Sequence, residues 1–296
     1  MTILFNNNLL EPKKVDPDYQ LEYDAAIKVG YKVLLVSYED IIDGDYLSAI
    51  DHIPTEGSED YDALYRGWML TVDQYEGLYK ALLKNVGIEL WNNPRQYKFC
   101  HHLPEWYESV KEITPKSVWF PYEDDFSIHL AKHHLTKLPK SVVLKDYVKS
   151  EKNYWNEACF IPDTQDEENL EKVVNRFLEL RGDSLNEGLV FREFVDLAEL
   201  QNHSKSDMPL TKEFRLFFSG YRVFAYSKYW EEGEYADLQP PIGLFEPFAR
   251  KIESNFFTMD IALQKNGEWT IIELGDAQVS GLPEDINIEE FYKKLY

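Results

Sequence analysis

The first third of the chain alternates short apolar runs with longer segments of helical spacing. The apolar runs are rich in branched residues, which favours strands that are buried in a parallel sheet. Gly30 and Gly87 follow the two helical segments and are placed to end them. We therefore predict a small α/β domain over residues 1–112, with strands at 3–5, 31–36, 62–67 and 88–91 and helices at 18–29 and 71–86.

The remaining residues favour further strands and one long helix. Strands are predicted at 140–149, 188–195, 213–218 and 221–227, and a helix at 166–180. The polar residues between 196 and 212 predict a flexible insertion or a lid over a site.

The last predicted β-hairpin carries one acid on each strand. The apolar runs 257–263 and 269–274 flank an Asn-Gly turn, which places Asp260 and Glu273 nearly opposite each other. Like charges in that position repel, and burying either acid alone is costly. A cation between them resolves both problems, and Mg²⁺ is commonly held by one or two carboxylates plus phosphate oxygens. The alternative is a pair of acids on a solvated face.

Composition narrows the class of protein. The 296 residues carry a formal net charge of -22, which argues against non-specific binding to nucleic acids or anionic membranes. Cys100 and Cys159 match no metal or redox spacing, so a reduced, cytoplasmic compartment is expected. We expect no signal peptide and no membrane span. The histidine pairs at 101–102 and 133–134 point in different directions on any regular element, so neither is expected to share a metal ion.

The second half of the chain places a lysine on one predicted strand and arginines on two others, namely Lys145, Arg192 and Arg215. Lys145 is flanked by apolar residues and therefore needs an anion, either a phosphate or a carboxylate such as Asp146. Several cations beside an acid pair are what a nucleoside triphosphate site requires. The sequence has no GxxxxGK[ST] loop and no GxGxxG, so such a site must be built from strands.

These segments resemble the ATP-grasp superfamily, and most closely its clade named for two arginines and one lysine. The resemblance covers about residues 113–296 and is carried by VVLKDYVKS, LVFREFV, KEFRLFF and the final hairpin. It implies that Lys145 contacts the α and β phosphates of ATP. It also implies that Arg192 and Arg215 are the two arginines of the clade, with catalytic roles.

The same resemblance implies the rest of the nucleotide site. Glu193, Phe194 and Val195 match the hinge strand whose backbone meets adenine, and Glu213 falls where the family places the acid that binds ribose.

The final hairpin matches the metal-binding acids of the family, which are Asp260 and Glu273 here. The usual ending of that motif is Glu-x-Asn, whereas this sequence has Gly275 at the asparagine position. Asp276 is therefore expected as the third metal ligand.

The implied fold is a small N-terminal α/β domain followed by a two-lobed ATP-grasp fold, with lobes at about 113–195 and 196–296. The implied reaction uses Mg²⁺ and ATP to activate a carboxylate as an acyl phosphate, which an amine or thiol then attacks. Substrates would be small-molecule or peptide acids and amines. Three alternatives stay open. They are an ATP-binding assembly factor that acts on a partner protein, a set of ion pairs that binds no nucleotide, and other ATP-grasp chemistry such as phosphoryl transfer to a non-carboxylate acceptor.

The acceptor side of such a site is predicted where Arg66, Tyr122 and the 196–212 segment meet. Arg66 ends a predicted strand, where open α/β sheets bind ligands, so it reaches either a ligand or the partner of a surface salt bridge.

Overall fold

The structure is a computed structural model that describes residues 1–54, 61–122, 127–203 and 208–295. Within these ranges the chain forms an N-terminal parallel sheet and two antiparallel sheets that enclose a cleft. None of the helices in the described residues is long and apolar enough to cross a lipid bilayer.

The N-terminal sheet is fully parallel, with strand order β2-β1-β3-β4, as the sequence pattern predicts. Gly30 and Gly87 end helices in the left-handed conformation, and Thr71 begins one with a capping box to Gln74. The elements are β1 (Thr2–Asn6), α1 (Gln20–Val29), β2 (Lys32–Val36), α2 (Tyr38–Ile42), β3 (Tyr61–Arg66), α3 (Val72–Val86) and β4 (Ile88–Leu90), with 3-10 turns at Pro17–Tyr19 and Ser48–Ile50.

The two helices that follow the N-terminal sheet pack mainly beneath the C-terminal sheet. They are α4 (Pro94–His101) and α5 (Leu103–Val110). Most of their buried side chains, including Phe99 and Trp106, belong to the core beneath the C-terminal sheet, whereas Tyr97 of α4 belongs to the N-terminal core. The division at residue 112 therefore stays a prediction.

The first lobe of the cleft is an antiparallel sheet of order β5-β8-β6-β7, covered by two helices. A 3-10 turn at Lys152–Tyr154 and a π-helical turn at Trp155–Cys159 follow β6 and line the cleft. The elements are β5 (Ser117–Pro121), α6 (Ile128–Leu135), β6 (Val142–Asp146), β7 (Phe160–Ile161), α7 (Glu167–Arg181), a 3-10 turn (Gly182–Ser184) and β8 (Gly188–Glu193).

The second lobe is an antiparallel sheet of order β12-β11-β13-β14. Its two central strands are buried along nearly their whole length, and their residues are mostly apolar. The elements are β11 (Glu213–Ser219), β12 (Arg222–Lys228), α8 (Ile242–Ala249), β13 (Phe256–Leu263), β14 (Trp269–Asp276) and α9 (Ile288–Lys294). The last helix returns to α1, where Lys28 contacts Glu289.

The polar segment expected to be a flexible insertion or lid contains two short paired strands, β9 (Glu199–Asn202) and β10 (Pro209–Thr211). Leu197 also forms a bridge to Gln264 next to the final hairpin, which anchors the segment. Residues 204–207 of the predicted lid lie outside the described residues.

Candidate functional site: a cleft between two antiparallel sheets

The cleft has a polar compartment and an apolar compartment that share Ser150, Lys152 and Glu273. The polar cavity has a volume of about 380 Å³ and lies over β13 and β14. The apolar cavity has a volume of about 180 Å³ and lies between β8 and the β9–β10 pair. Together they are of the size that small ligands and cofactors occupy.

A row of three charged residues crosses the floor of the polar cavity. Arg215 on β11 pairs in register with Asp260 on β13, which pairs in turn with Glu273 on β14. The hairpin register predicted from the Asn-Gly turn is therefore confirmed, and a bulge follows immediately after the acid pair. The bulge inserts one extra residue of β14, which bends the strand at this position.

Each acid of the pair already has a basic partner. Arg215 donates from Nε and Nη2 to the two carboxylate oxygens of Asp260, at 2.8 and 2.9 Å. Lys145 on β6 reaches across the cleft to Glu273, with Nζ and Oε1 2.5 Å apart. The Lys145 partner is thus Glu273 and not Asp146, which instead accepts from Arg181 at 3.0 Å. These pairs remove the repulsion that the two acids would otherwise feel.

The polar cavity is locally basic, although the chain is strongly acidic. Its walls carry Lys149, Lys152 and Arg215 against two acids. Burial raises the pKa of the Glu273 carboxyl, but Lys145 and Lys152 lower it more, to about 2. Such a concentration of cations within a protein of opposite overall charge favours an anionic ligand.

Lys152 is a site residue that the sequence reasoning missed. Its ammonium lies 5.6 Å from the ring centroid of Tyr229 and 5.7 Å from that of Trp230. The charges of Tyr229 and, despite the opposing effect of burial, of Glu213 and Glu273 raise the pKa of Lys152. The spacing of Lys145, Lys149 and Lys152 is the signal that could have found it, because all three flank one turn after β6.

The apolar cavity contains the residues predicted to meet the base and ribose. Glu193, Phe194 and Val195 line it at the end of β8, and Glu213 lines it from β11. Burial raises the pKa of Glu213, which accepts from Trp230 Nε1 at 3.3 Å.

Aromatic rings enclose the apolar cavity. Trp155 stacks on Phe160 with ring centroids 5.5 Å apart, and Phe160 lies 4.8 Å from Phe194. Trp155 and Trp230 both line the cavity.

Arg192 lies at the base of the apolar cavity and holds the two lobes together. Its Nη2 donates to Thr114 Oγ1 at 2.6 Å and to the Ile271 carbonyl at 3.1 Å, and Nη1 donates to the Ile272 carbonyl. Burial lowers the pKa of Arg192 to about 10, and no carboxylate in the described chain pairs with it. Its buried Nε lacks a hydrogen-bond partner. The catalytic role that the sequence suggests for Arg192 stays a prediction.

Asp276 does not lie with the other two predicted metal ligands. It is fully buried on β14 and accepts from Asn92 Nδ2 at 2.6 Å and from the Gln278 amide at 2.9 Å. Burial raises its pKa to about 7 despite these donors. Alternation explains the error, because residues three apart on a strand face opposite sides.

Arg66 is neither a ligand contact nor a surface ion pair. It is completely buried and binds Glu22 with two nitrogens, at 2.9 and 2.8 Å. Its Nη1 donates to the carbonyls of Ala277, Gln278 and Ser280. Neither Arg66 nor Tyr122 is among the residues that line the two cavities. The prediction that these two residues form part of the acceptor pocket is therefore wrong.

Of the three predicted metal ligands, only Asp260 and Glu273 therefore lie together in the cleft. The part of the chain that the structure describes contains no group of three His, Cys, Asp or Glu side chains able to hold a metal ion. Two carboxylates are sufficient for Mg²⁺ when phosphate oxygens and water complete the shell.

The fold of the whole chain is similar to that of solved ATP-grasp proteins. A RimK domain ATP-grasp protein from Sphaerobacter thermophilus is 12% identical, with a TM-score of 0.61 over 100% of this chain and 98% of that chain. The D-cycloserine synthetase DcsG is 11% identical, with a TM-score of 0.62 over 100% and 98% of the two chains. The macrocyclase MdnC, bound with its precursor peptide MdnA from Microcystis aeruginosa, is 12% identical, with a TM-score of 0.55 over 98% and 97%.

These likenesses confirm the two-lobed fold that the sequence resemblance implies. The sequence has no significant match among curated proteins. A family model does match residues 135–295, more than half of the chain, and it describes the ATP-grasp domain of family 3 in the clade with two arginines and one lysine. The chain is therefore a member of family 3 of this ATP-grasp clade.

Proposed function

We propose that the protein is an ATP-dependent ligase that joins a carboxylic acid to an amine through an acyl phosphate. The observation that carries this proposal is the row Arg215–Asp260–Glu273 with Lys145 above it, beside an aromatic cavity between two lobes. A triphosphate fits the basic polar compartment, and a base fits the apolar compartment. Membership of the ATP-grasp family and the ligases among the structural neighbours support the same reaction class.

The existing ion pairs suggest how the nucleotide is bound. With nucleotide bound, Lys145 and Arg215 would contact phosphate oxygens in place of Glu273 and Asp260, and the two released carboxylates would hold Mg²⁺. Each of the four side chains exchanges one partner of opposite charge for another, so neither acid is left buried and uncompensated. Mg²⁺ held by these two acids would supply positive charge that offsets the phosphate charge, which would favour attack by an anionic carboxylate on the γ-phosphorus.

The side chains of the cleft then have distinct roles. Arg215 stabilises the phosphoryl group as it moves to the acid, because its fork already faces the polar cavity. Lys152 and Lys145 hold the phosphates. The enclosing lobes limit the access of water to the acyl phosphate. Substrates are small-molecule or peptide acids and amines, and the neighbour crystallised with a precursor peptide supports the peptide case.

The experiment is a thermal melt of the wild type with and without Mg²⁺-ATP, followed by an assay of ADP release against candidate acids and amines. A ligand that binds only the folded state raises the midpoint by mass action. The ligase proposal expects such a rise, and ADP release that depends on the acceptor. ATP binding without ADP release in the presence of any tested acid and amine would instead indicate an ATP-binding assembly factor. If Mg²⁺-ATP does not raise the midpoint at all, the charged residues of the cleft form ion pairs that bind no nucleotide.

A further inference from the structure

The second lobe carries a groove that is separate from the cleft. One wall of the groove is the turn at 219–222 between β11 and β12, and the other wall is one side of α8. Gly243, Glu246 and Arg250 line it from α8 and are three and four residues apart, so they share one face of the helix. The groove has a volume of about 830 Å³.

The groove lies at the end of β11 that is remote from the cleft. Glu213 begins β11 and lines the apolar cavity, whereas Ser219 ends β11 and lines the groove. The six residue steps between them correspond to about 20 Å of extended strand. The groove shares no lining residue with the two cavities of the cleft, so a molecule bound there leaves both of them open.

Each wall of the groove carries an arginine whose guanidinium is free. Arg222 at the turn and Arg250 at the end of α8 are both exposed. Neither guanidinium forms an ion pair or a hydrogen bond with any residue that the structure describes. Every other arginine of the chain is engaged: Arg66, Arg95, Arg176, Arg181 and Arg215 pair with carboxylates, and Arg192 donates to carbonyls.

Two free arginines in one groove stand out on a surface as acidic as this one. The sequence has 53 acidic residues against 31 lysines and arginines. Glu246 lies four residues before Arg250, a helical spacing that favours an ion pair, yet the two side chains do not pair. A guanidinium presents several N–H donors in a planar fork that matches a carboxylate. The groove therefore offers two such forks to an anion from outside.

Glu246 restricts the kind of anion that fits. It lines the same groove as the two arginines, so the groove contains charges of both signs. A densely charged polymer such as a nucleic acid would place a phosphate against Glu246, and the net charge of -22 repels such a polymer as a whole. Separated carboxylates on an extended polypeptide can meet the two arginines while an uncharged group faces Glu246.

The groove also offers apolar contact area. Tyr221 lines it with 53% of its surface exposed, and Leu244, next to Gly243 on α8, is 44% exposed. Nothing lies within 4 Å of the position that a Cβ on Gly243 would take, so the groove is open at this end. Tyrosine and arginine are enriched in protein–protein interfaces and among the residues that contribute most to binding.

We propose that this groove docks an extended acidic segment of a partner protein. One carboxylate of the segment binds Arg222 on the turn wall, and a second carboxylate binds Arg250 on the helix wall. An apolar side chain of the segment packs on Tyr221. This interaction goes beyond the proposed ligase reaction and does not depend on it, because the groove lies outside the cleft.

The test measures the binding of a fluorescein-labelled peptide that repeats the sequence Glu-Gly-Tyr-Asp, by fluorescence anisotropy with the full chain. The same peptide with Gln and Asn in place of Glu and Asp is the uncharged control. We expect only the acidic peptide to bind, and its affinity to fall as salt is added, because exposed charges are screened. If the acidic peptide does not bind the wild type, the proposal is wrong.

Three variants assign the binding to the groove. Arg222→Glu and Arg250→Glu each reverse one charge and are expected to weaken binding by about tenfold. Gly243→Leu fills the open end of the groove and should also weaken binding, whereas the helix should tolerate leucine better than glycine. Lys84→Glu is the matched control, because Lys84 is exposed on α3, has no ion pair within the described residues and does not line the groove. Its affinity should equal that of the wild type.

The thermal midpoint without ligand checks that the variants fold. Arg222→Glu and Arg250→Glu are expected to keep a midpoint close to that of the wild type, because neither guanidinium has a partner to lose. All three groove variants should also keep the wild-type shift with Mg²⁺-ATP. Peptide binding that is unchanged in every groove variant would place the peptide elsewhere and overturn the proposal.

Two further measurements separate an acidic polypeptide from other occupants. Sodium tripolyphosphate should displace the peptide no better than sodium chloride of equal ionic strength, and stronger displacement would instead indicate a general phosphate site. Sedimentation velocity of the protein alone tests for a second copy in the groove. Self-association that Arg222→Glu abolishes would assign the groove to that copy. Either of these two results overturns the proposed partner.

Discussion

Arg66 and Arg215 each bind a carboxylate with two nitrogens at nearly equal distances, yet they differ in what surrounds the pair. The Arg66 side chain is 1% exposed, and backbone carbonyls take its remaining donor. The Arg215 side chain is 19% exposed, stacks 5.0 Å from the Tyr229 ring centroid and faces the polar cavity. The nitrogens of Arg66 all donate to protein groups, so this pair is closed to a ligand. Arg215 lies at a cavity, so it can exchange Asp260 for another anion.

An ion pair alone therefore does not distinguish structure from function. A buried pair whose donors are all used resists any exchange, because breaking it leaves an uncompensated charge. A pair at the wall of a cavity can be replaced by another pair when an anion and a cation enter together. Variants of the two pairs separate these cases.

The largest effect is expected from removing both acids of the exchangeable site. Asp260→Asn with Glu273→Gln should abolish Mg²⁺-dependent ATP binding, measured as the loss of the thermal shift. Without ligand, the stability of this variant should fall, since Arg215 and Lys145 lose their partners. Retained Mg²⁺-ATP binding would show that these acids are not the metal ligands.

Replacing the complete pair should act on stability alone. Arg66→Met leaves Glu22 buried without its cation, and we expect the free energy of unfolding to fall by about 3–5 kcal/mol. Arg215→Met should cost less stability but should abolish the nucleotide-induced shift. Denaturant unfolding of both variants measures this difference, and equal losses of stability would contradict the contrast between the two pairs.

The lysine above the acid pair should have an intermediate effect. If Lys145 contacts the nucleotide as we propose, Lys145→Ala should remove one charge-assisted contact, which corresponds to about 1.5–3 kcal/mol of binding free energy. Titration of ATP against the variant measures this loss. Lys140→Ala is the control, because Lys140 forms only an exposed pair with Asp163, and unchanged affinity is expected there. Similar losses in both variants would argue against a specific role for Lys145.

The smallest effect concerns Asp276, which lies three residues after Glu273 but outside the cleft. Its pKa is about 7 in the folded protein, above the usual 3.8. The folded state therefore binds the proton between about pH 4 and 7 while the unfolded state does not, so this group's contribution to stability is lost as the pH rises through that window. Asp276→Asn should flatten the pH dependence of the unfolding free energy there. If the slope does not change, other groups cause the pH dependence of the unfolding free energy in this range.

The sequence predicts most of the strands and the three longest helices, α1, α3 and α7, because these elements are locally consistent. The helices α2, α4, α5, α6, α8 and α9 are not among the predicted elements. The parallel N-terminal sheet follows from short branched runs separated by helices that end at glycines. The final hairpin follows from its turn, where Gly267 has a positive φ. The packing of α4 and α5 on the C-terminal sheet cannot be predicted in this way, because it depends on contacts between distant segments.

The site is predictable only in part, for a related reason. The pairing of Asp260 with Glu273 follows from the hairpin. Arg215 becomes known as a partner only from the sheet order, and Lys145 only from the packing of the other sheet across the cleft. Asp276 is assigned to the site by its position in the sequence, although strand alternation points it away. Lys152 is missed because it lies on an irregular turn outside the predicted strand, where only its spacing from Lys145 and Lys149 marks it.

The two tryptophans of the apolar cavity give the protein an optical property. Trp155 and Trp230 line the compartment on different segments, and they are two of only seven tryptophans in the chain. A purine base that enters between these segments will change the polarity around both indoles and will stack within reach of their rings. Intrinsic fluorescence of the unlabelled protein should therefore change when the cleft is occupied, over a constant signal from the five tryptophans that do not line this cavity.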